Sequence, residues 1–416
     1  MNWGDTEEEA AFRRSVRRFV RDAFPAAYRP DPHAENGLEP EDVRGYNWPA
    51  DLRSADATRA AGARAWAAAL ARRGWIAPRW PRRYGGADLS ATRAFILHEE
   101  IMRAGKPAVN GLGVFLLGPT LLVHGTAVQK AEHLPPTARG ERVWAQGFSE
   151  PEAGSDLAGL CTRAVREGDQ YVVNGQKVWT SLGHHADWLF VLVRTGSDPG
   201  APRHRGITFL LVDARSPGIT IRPITDIRGA APFCEIFFED VRVPVANRVG
   251  EEGMGWYVAM DTLSFERAGL GTTIKFDHAL TDLIAYLKTE HGAEQLHPEW
   301  DHGLRSEIAR RYIEVRVSHQ LARYAVARED AGEVPGHEAS VNQLFSAELH
   351  QRLARTGARA FGPHGLLWRG DETQPAPLDG AFTHLWFDAV AATFMGGTSE
   401  IQRNVIATRG LGLPSA

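Results

Sequence analysis

Tyr171-Val-Val-Asn-Gly-Gln-Lys-Val-Trp179 decides how this chain is read. Valine, tyrosine and tryptophan favour a pleated, half-buried backbone. Asn174-Gly175 interrupts them with two residues that tolerate positive φ, so the stretch predicts a β-hairpin turning there. Strand-like runs recur at 188–193, 207–212, 219–221 and 235–238, separated by glycine- and proline-rich turns. Residues 143–248 therefore read as a compact all-β unit, a small barrel or sandwich.

Before residue 143 the period is helical. Thr6 and Glu9 have capping-box spacing, and Phe12, Val16, Phe19 and Val20 share one face, which predicts a helix over 6–24. Residues 25–55 read as loop with a helical turn near 40–42. Helices follow at 56–73, after Ser90, and at 109–123, with 81–86 as loop. Thr126 and Gln129 form a second capping pair, and Pro135-Pro136 ends that pattern. Helical patterning returns after Gly255, with helices at 276–289, 302–330, 335–358 and 382–408 and a loop over 371–379. The expected domains are 1–142 (helical), 143–248 (β) and 249–416 (helical).

The 416 residues are 43% hydrophobic with a formal net charge of -4. That composition supports a globular chain of two or three domains and argues against a nucleic-acid partner. Cys161 and Cys234 cannot build a disulfide framework, so a reducing, cytoplasmic setting is expected. The first ten residues lack a basic stretch followed by an apolar one, so no secretory signal is expected. No apolar run spans a bilayer. No metal site is expected, and no Gly-x-Gly-x-x-Gly element opens a βαβ unit.

Three motifs carry the chemistry: Gly147-Phe-Ser-Glu150-Pro-Glu-Ala-Gly-Ser-Asp156, Lys177-Val-Trp-Thr-Ser181, and Ala391-Ala-Thr-Phe-Met-Gly-Gly-Thr398-Ser-Glu-Ile-Gln-Arg-Asn404. In this order they resemble the acyl-CoA dehydrogenase family. The resemblance implies an α+β fold with an N-terminal helical domain, a central β domain and a C-terminal four-helix bundle. It also implies FAD, held by the β domain against the final helical domain. The family's flavin-contact positions fall on Phe148, Ser149, Ser155, Trp179 and Ser181, and on Thr398 and Glu400 in the last motif. Serine hydroxyls can donate to flavin carbonyl or ring-nitrogen positions, where hydride arrival places negative charge. Trp179 would pack near the isoalloxazine and exclude water.

The family reaction removes the α proton of an acyl thioester while the β hydrogen leaves as hydride to flavin N5. It needs a carboxylate close to Cα. Many members carry that base where this chain has Gly396. A second family location, on the first long helix after the β domain, falls on Glu266. Glu150, Glu152 and Asp156 are alternative carboxylates, and His364 a further candidate near the cofactor.

Gly396-Gly397 permits close backbone approach and leaves room for a branched or ring-bearing acyl group. The family's cross-subunit cofactor signature is degraded over 287–292, with Arg359 as a substitute phosphate contact. These departures resemble branches acting on bulky acyl-CoAs, some assembled from two different chains. The implied partners are an acyl-CoA or related pantetheine thioester, an electron-transfer flavoprotein, and other subunits in a homodimer, homotetramer or heteromer. A same-fold acyl-CoA oxidase, a flavin monooxygenase and a weakly active subunit of a heteromeric dehydrogenase are the alternatives.

Overall fold

The computed structural model describes residues 4–31, 45–196, 200–266, 270–289, 292, 301–333, 336–368 and 376–414, with backbone alone at 265, 266, 270, 271, 301 and 302. The expected turn at 40–42 lies outside these residues. The chain divides into two compact units, Met1–Glu266 and Arg267–Ala416.

The first unit opens with helices whose caps were written in the sequence. In α1 (Glu7–Ala23), Thr6 Oγ1 accepts from Glu9 N at 3.2 Å and Glu9 Oε2 accepts from Thr6 N at 2.7 Å. A short α2 (Trp48–Leu52) interrupts the expected 25–55 loop, and Asp56 caps α3 (Ala57–Ala71). Arg13 of α1 pairs with Glu99 and Glu100 of α4 (Ala91–Arg103) at 2.6 and 2.7 Å. A π-helical turn, Gly113–Leu117, leads into α5 (Gly118–His124).

Contrary to expectation, α6 (Ala127–Ala138) continues through Pro135-Pro136. Proline removes the N–H that would bind the carbonyl four residues back. Here Arg142 Nη1 donates to the Glu132 carbonyl at 3.3 Å, replacing the donor that Pro136 lacks.

The β region contains β1 (Trp144–Gly147), β2 (Arg163–Glu167), β3 (Gln170–Ser181), β4 (Trp188–Arg194), β5 (Ile207–Asp213), β6 (Ile219–Ile224), β7 (Phe233–Pro244) and β8 (Arg248–Val249). They form one sheet in the order β6-β7-β3-β2-β4-β5-β8, with β1 parallel to β4. Both faces of β4 are buried. Leu189, Val191 and Val193 meet Val212, Ile236 and Phe238 on one side, whereas Phe190 and Leu192 join the core of the N-terminal helices on the other. That two-sided burial explains its continuous apolar run.

The expected hairpin at Asn174-Gly175 is not present. β3 runs straight through both residues, and the β2–β3 turn lies at Gly168 (φ 66°). Asn174 instead faces a bulge on β7: the register shifts between Val173 and Gly175, where Glu239 and Asp240 (φ 50°) oppose the single residue Asn174. A Cβ on Gly175 would lie 2.7 Å from Thr162 Cα, so close backbone approach requires the glycine. Asn174 Nδ2 donates to Asp240 Oδ1 at 3.0 Å and its Oδ1 accepts from Asp240 N at 2.9 Å. Both turn-forming residues are thus used inside a strand.

The unit closes with α7 (Gly255–Glu266), packed against β5 and the Gly113–Leu117 turn. In the second unit, α8 (Leu270–Leu287), α9 (Asp301–Asp330), α10 (His337–Phe361) and α11 (Ala381–Ala392) share a core of Phe276, Leu283, Val315, Leu353 and Phe382. The helix expected over 382–408 is broken. α11 ends at Ala392, and α12 (Ser399–Val405) starts afresh behind a Thr398 cap. The break falls where Gly396 and Gly397 take φ of 59° and 90°, a conformation that interrupts a right-handed helix.

Candidate active site

The first two motifs are fastened together by a buried ion pair. Lys177 is 0% exposed, and its Nζ donates to Glu150 Oε1 at 2.7 Å and to the Phe148 carbonyl at 3.1 Å. Glu150 also accepts from Cys161 N at 2.6 Å and Thr162 N at 2.9 Å. Val178 N donates to the Ser149 carbonyl at 3.0 Å, so the loop after β1 adds its backbone to β3. Burial pulls the Lys177 ammonium down to about 8 against the upward pull of Glu150. Burial pushes the Glu150 carboxyl up, but Lys177 and the hydrogen-bond donors outweigh it, so it titrates below its usual range.

This arrangement settles two side-chain environments. Glu150 is committed to Lys177 and two backbone donors, and Asp156 pairs with Arg203 at 2.9 Å. Glu152 is exposed. Phe148 turns its ring into the core, edge-on to Phe190 and Phe209 at 5.8 and 5.9 Å. Only its backbone can face a ligand, and its carbonyl already accepts from Lys177.

Trp179 has the opposite character. It is 60% exposed, sits at the bulge of β3, where Val178 and Trp179 oppose Glu235 of β7, and holds φ at 60°. Leu182, three residues on, also has positive φ, 49°. Such conformations cost roughly 1–3 kcal/mol each for residues with a side chain, and they collect at ligand-binding sites. The indole and the Phe233 ring stand nearly perpendicular, with centroids 6.0 Å apart. Ser149 and Ser181 are half-buried on the two fastened segments, and Ser155 is exposed further along the loop. Among the described residues, buried Thr180 Oγ1 and Gln146 Nε2 have no hydrogen-bond partner. An exposed aromatic ring on a segment fastened to the Ser149 loop is a surface on which a flat ring system can stack.

Glu266 is the last residue of α7, and its side chain lies outside the described residues. The helix that carries it is anchored firmly. Thr262 is 0% exposed, and its Oγ1 donates to the Val258 carbonyl and lies 2.8 Å from Thr120 Oγ1. Val258 and Ala259 are buried beside it. The adjoining Gly113–Leu117 turn is π-helical, a geometry often found at functional sites.

In the second unit, Thr398 Oγ1 accepts from Ile401 N at 3.1 Å as the α12 cap, and Glu400 is exposed. Gln402 Nε2 donates to the carbonyls of Gly396 at 3.1 Å and Gly397 at 3.3 Å. Arg359 is engaged by Glu307, so a phosphate contact there would compete with that pair. His364 is exposed. Much of the stretch following 287–292 lies outside the described residues.

Sequence reasoning did not single out Lys177 as the fastener or Gln402 as a support of the glycine turn. Lys177 had a readable signal: it shares strand parity with buried Tyr171 and Val173, so a charge there faces inward. Gln402 had none, because its contacts depend on the helix break. Among the described residues there is no group of three or more metal-ligating side chains, and no helix is long and apolar enough to cross a membrane.

Comparison with known proteins covers all three regions. Residues 49–141, 145–241 and 253–411 match the N-terminal, middle and C-terminal domains of acyl-CoA dehydrogenase. The acyl-CoA dehydrogenase IpdE1 of Mycobacterium tuberculosis is 41% identical over 354 residues, 84% of this chain and 88% of the relative. Among solved structures, the Tcur3481-Tcur3483 steroid ACAD has a TM-score of 0.83 at 29% identity, covering 100% of both chains. The ChsE4-ChsE5 complex from Mycobacterium tuberculosis has a TM-score of 0.81 at 32% identity, also covering 100% of both.

Proposed function

The chain belongs to the acyl-CoA dehydrogenase family and is an enzyme; we propose that it carries out FAD-dependent α,β-dehydrogenation of a bulky acyl-CoA thioester, with Glu266 as the base. Members of this family are flavoproteins. The observation that carries the cofactor assignment is Trp179, an exposed indole held in a strained backbone conformation. Strain of that kind persists where the surrounding structure has a use for it.

In this reading, Trp179 and the Ser149 and Ser181 segments bind and orient the isoalloxazine. The Lys177–Glu150 pair keeps those segments in register. Ser155, the Phe148 backbone, Thr398 and Glu400 are further contact positions. Bound FAD supplies the acceptor for the β hydride. Glu266 takes the α proton, in a chain whose alternative carboxylates Glu150 and Asp156 are already paired. Gly396, without a side chain, leaves space for a branched or ring-bearing acyl group. An electron-transfer flavoprotein is the proposed oxidant of the reduced enzyme.

A second chain is the proposed structural partner. Trp386, Val390 and Phe394 are exposed at successive turns along and just beyond α11. The solved relatives include the ChsE4-ChsE5 complex and the Tcur3481-Tcur3483 steroid ACAD, each named for two components. A homodimer or homotetramer is the alternative assembly.

The test is the absorbance spectrum of the purified protein, followed by anaerobic titration with linear, branched and ring-bearing acyl-CoAs. The proposal expects bound flavin that bleaches most readily with a bulky thioester. Retained flavin that bleaches with none of them would contradict it.

A further inference from the structure

Residues 393–402 form a turn whose ends and middle are separately tied. Ser399 N donates to the Thr393 carbonyl at 2.8 Å, and Gln402 N donates to the Thr398 carbonyl at 2.9 Å. Inside the loop, Gly396 and Gly397 are successive left-handed residues, which glycine adopts without a Cβ penalty. Gln402 is only 1% exposed, and its Nε2 donates to both glycine carbonyls, at 3.1 and 3.3 Å. Those two acceptors fix the amide's orientation, because a flip would set Oε1 against two carbonyl oxygens. Oε1 has no hydrogen-bond partner among the described residues. A buried amide with an unmet acceptor is a costly way to gain stability. Its service is the shape it imposes on the turn.

We infer that Gln402 is a positioning residue that holds the Gly396–Gly397 turn open for a bulky acyl group. The inference rests on the acyl-thioester reading above and adds what keeps the space at position 396 in shape. The glycines permit the double left-handed turn, and the buried amide selects it. Both glycines are exposed, so water satisfies their carbonyls when the amide is removed. Loss of Gln402 therefore alters the turn more than the stability of the fold. Gly397 gives an independent route to the same defect, since a Cβ there would lie 2.7 Å from Gln402 Nε2 and displace it.

The experiment uses full-length, flavin-loaded wild type, Gln402→Leu and Gly397→Ala. It measures amide exchange over 393–405 and kcat/KM for a ring-bearing and a linear acyl-CoA. Both variants are expected to exchange about fivefold faster in that segment, and to lose about tenfold in the ring-bearing over linear kcat/KM ratio. Flavin content should be unchanged. Faster exchange with an unchanged selectivity ratio overturns the positioning role. Unchanged exchange in Gln402→Leu overturns the claim that the amide holds the turn. A wild type whose retained flavin bleaches with no thioester removes the functional reading and this inference with it, a result distinct from either variant outcome.

Discussion

Lys177 Nζ and Glu150 Oε1 lie 2.7 Å apart in the interior of the first unit, joining the strand that carries Trp179 to the loop that carries Ser149. Removing one member leaves the other charge buried, which typically costs about 3–5 kcal/mol. Lys177→Met should therefore lower the melting temperature markedly and reduce flavin retention. The Lys177→Met/Glu150→Gln double variant should recover part of the lost stability, because no unpaired charge remains. Thermal melts of wild type, both single variants and the double variant check this. Additive losses would show that the pair is not coupled.

Trp179 predicts a gain in stability at the expense of function. Its indole is exposed, so Trp179→Gly gives up little burial while relieving about 1–2 kcal/mol of left-handed strain. The variant should melt at or above the wild-type temperature and retain much less flavin. The ratio of flavin to protein absorbance, measured beside the melt, decides it. Flavin content equal to wild type would remove Trp179 from the cofactor site.

Buried histidines set an acid limit on stability. His133 is held down to about 4, first by burial and then by Arg142, and burial lowers His350 to about 3. His133 Nδ1 lies 2.5 Å from Arg142 Nη1, which suits a neutral, accepting imidazole. In the unfolded chain both take up a proton near pH 6.5, whereas the folded chain resists. Their contribution is therefore full above pH 6.5 and falls as pH drops toward 4, by about 1.4 kcal/mol per pH unit for each histidine. Denaturant unfolding between pH 7 and 4 should show this slope, and His350→Leu should reduce it by one proton for the second unit. An unchanged slope would contradict the assignment.

Gly175 is required by close packing rather than by a turn. Gly175→Ala would bring a Cβ to 2.7 Å from Thr162 Cα at a φ of 147°. It should destabilise the first unit by about 1–3 kcal/mol, read as a lower melting temperature. A neutral effect would mean that β2 and β3 separate there at little cost.

The same residue marks how far the sequence could be read. Caps such as Thr6–Glu9 and Thr126–Gln129 are local, and both formed as their spacing predicts. Asn174-Gly175 carries the same local signature as a hairpin, but its outcome depended on partners distant in sequence: Asp240 for the amide and Thr162 for the glycine. Pro135-Pro136 failed as a stop signal for a similar reason, since Arg142 supplied a donor from outside the helix. At the site, the motifs drew attention to Trp179, Ser149 and Gly396. Strand parity alone marks Lys177 as inward-facing, but its pairing with Glu150 and the Gln402 brace depend on strand pairing and a helix break that set their neighbours.

The central claim is that Glu266 removes the α proton of an acyl thioester as the flavin is reduced. Anaerobic stopped-flow mixing of Glu266→Gln with the acyl-CoA that bleaches the wild-type enzyme tests it most directly. Normal flavin content, retained thioester binding and a rate of flavin reduction lower by about a thousandfold or more are expected. Flavin reduction at the wild-type rate would contradict it.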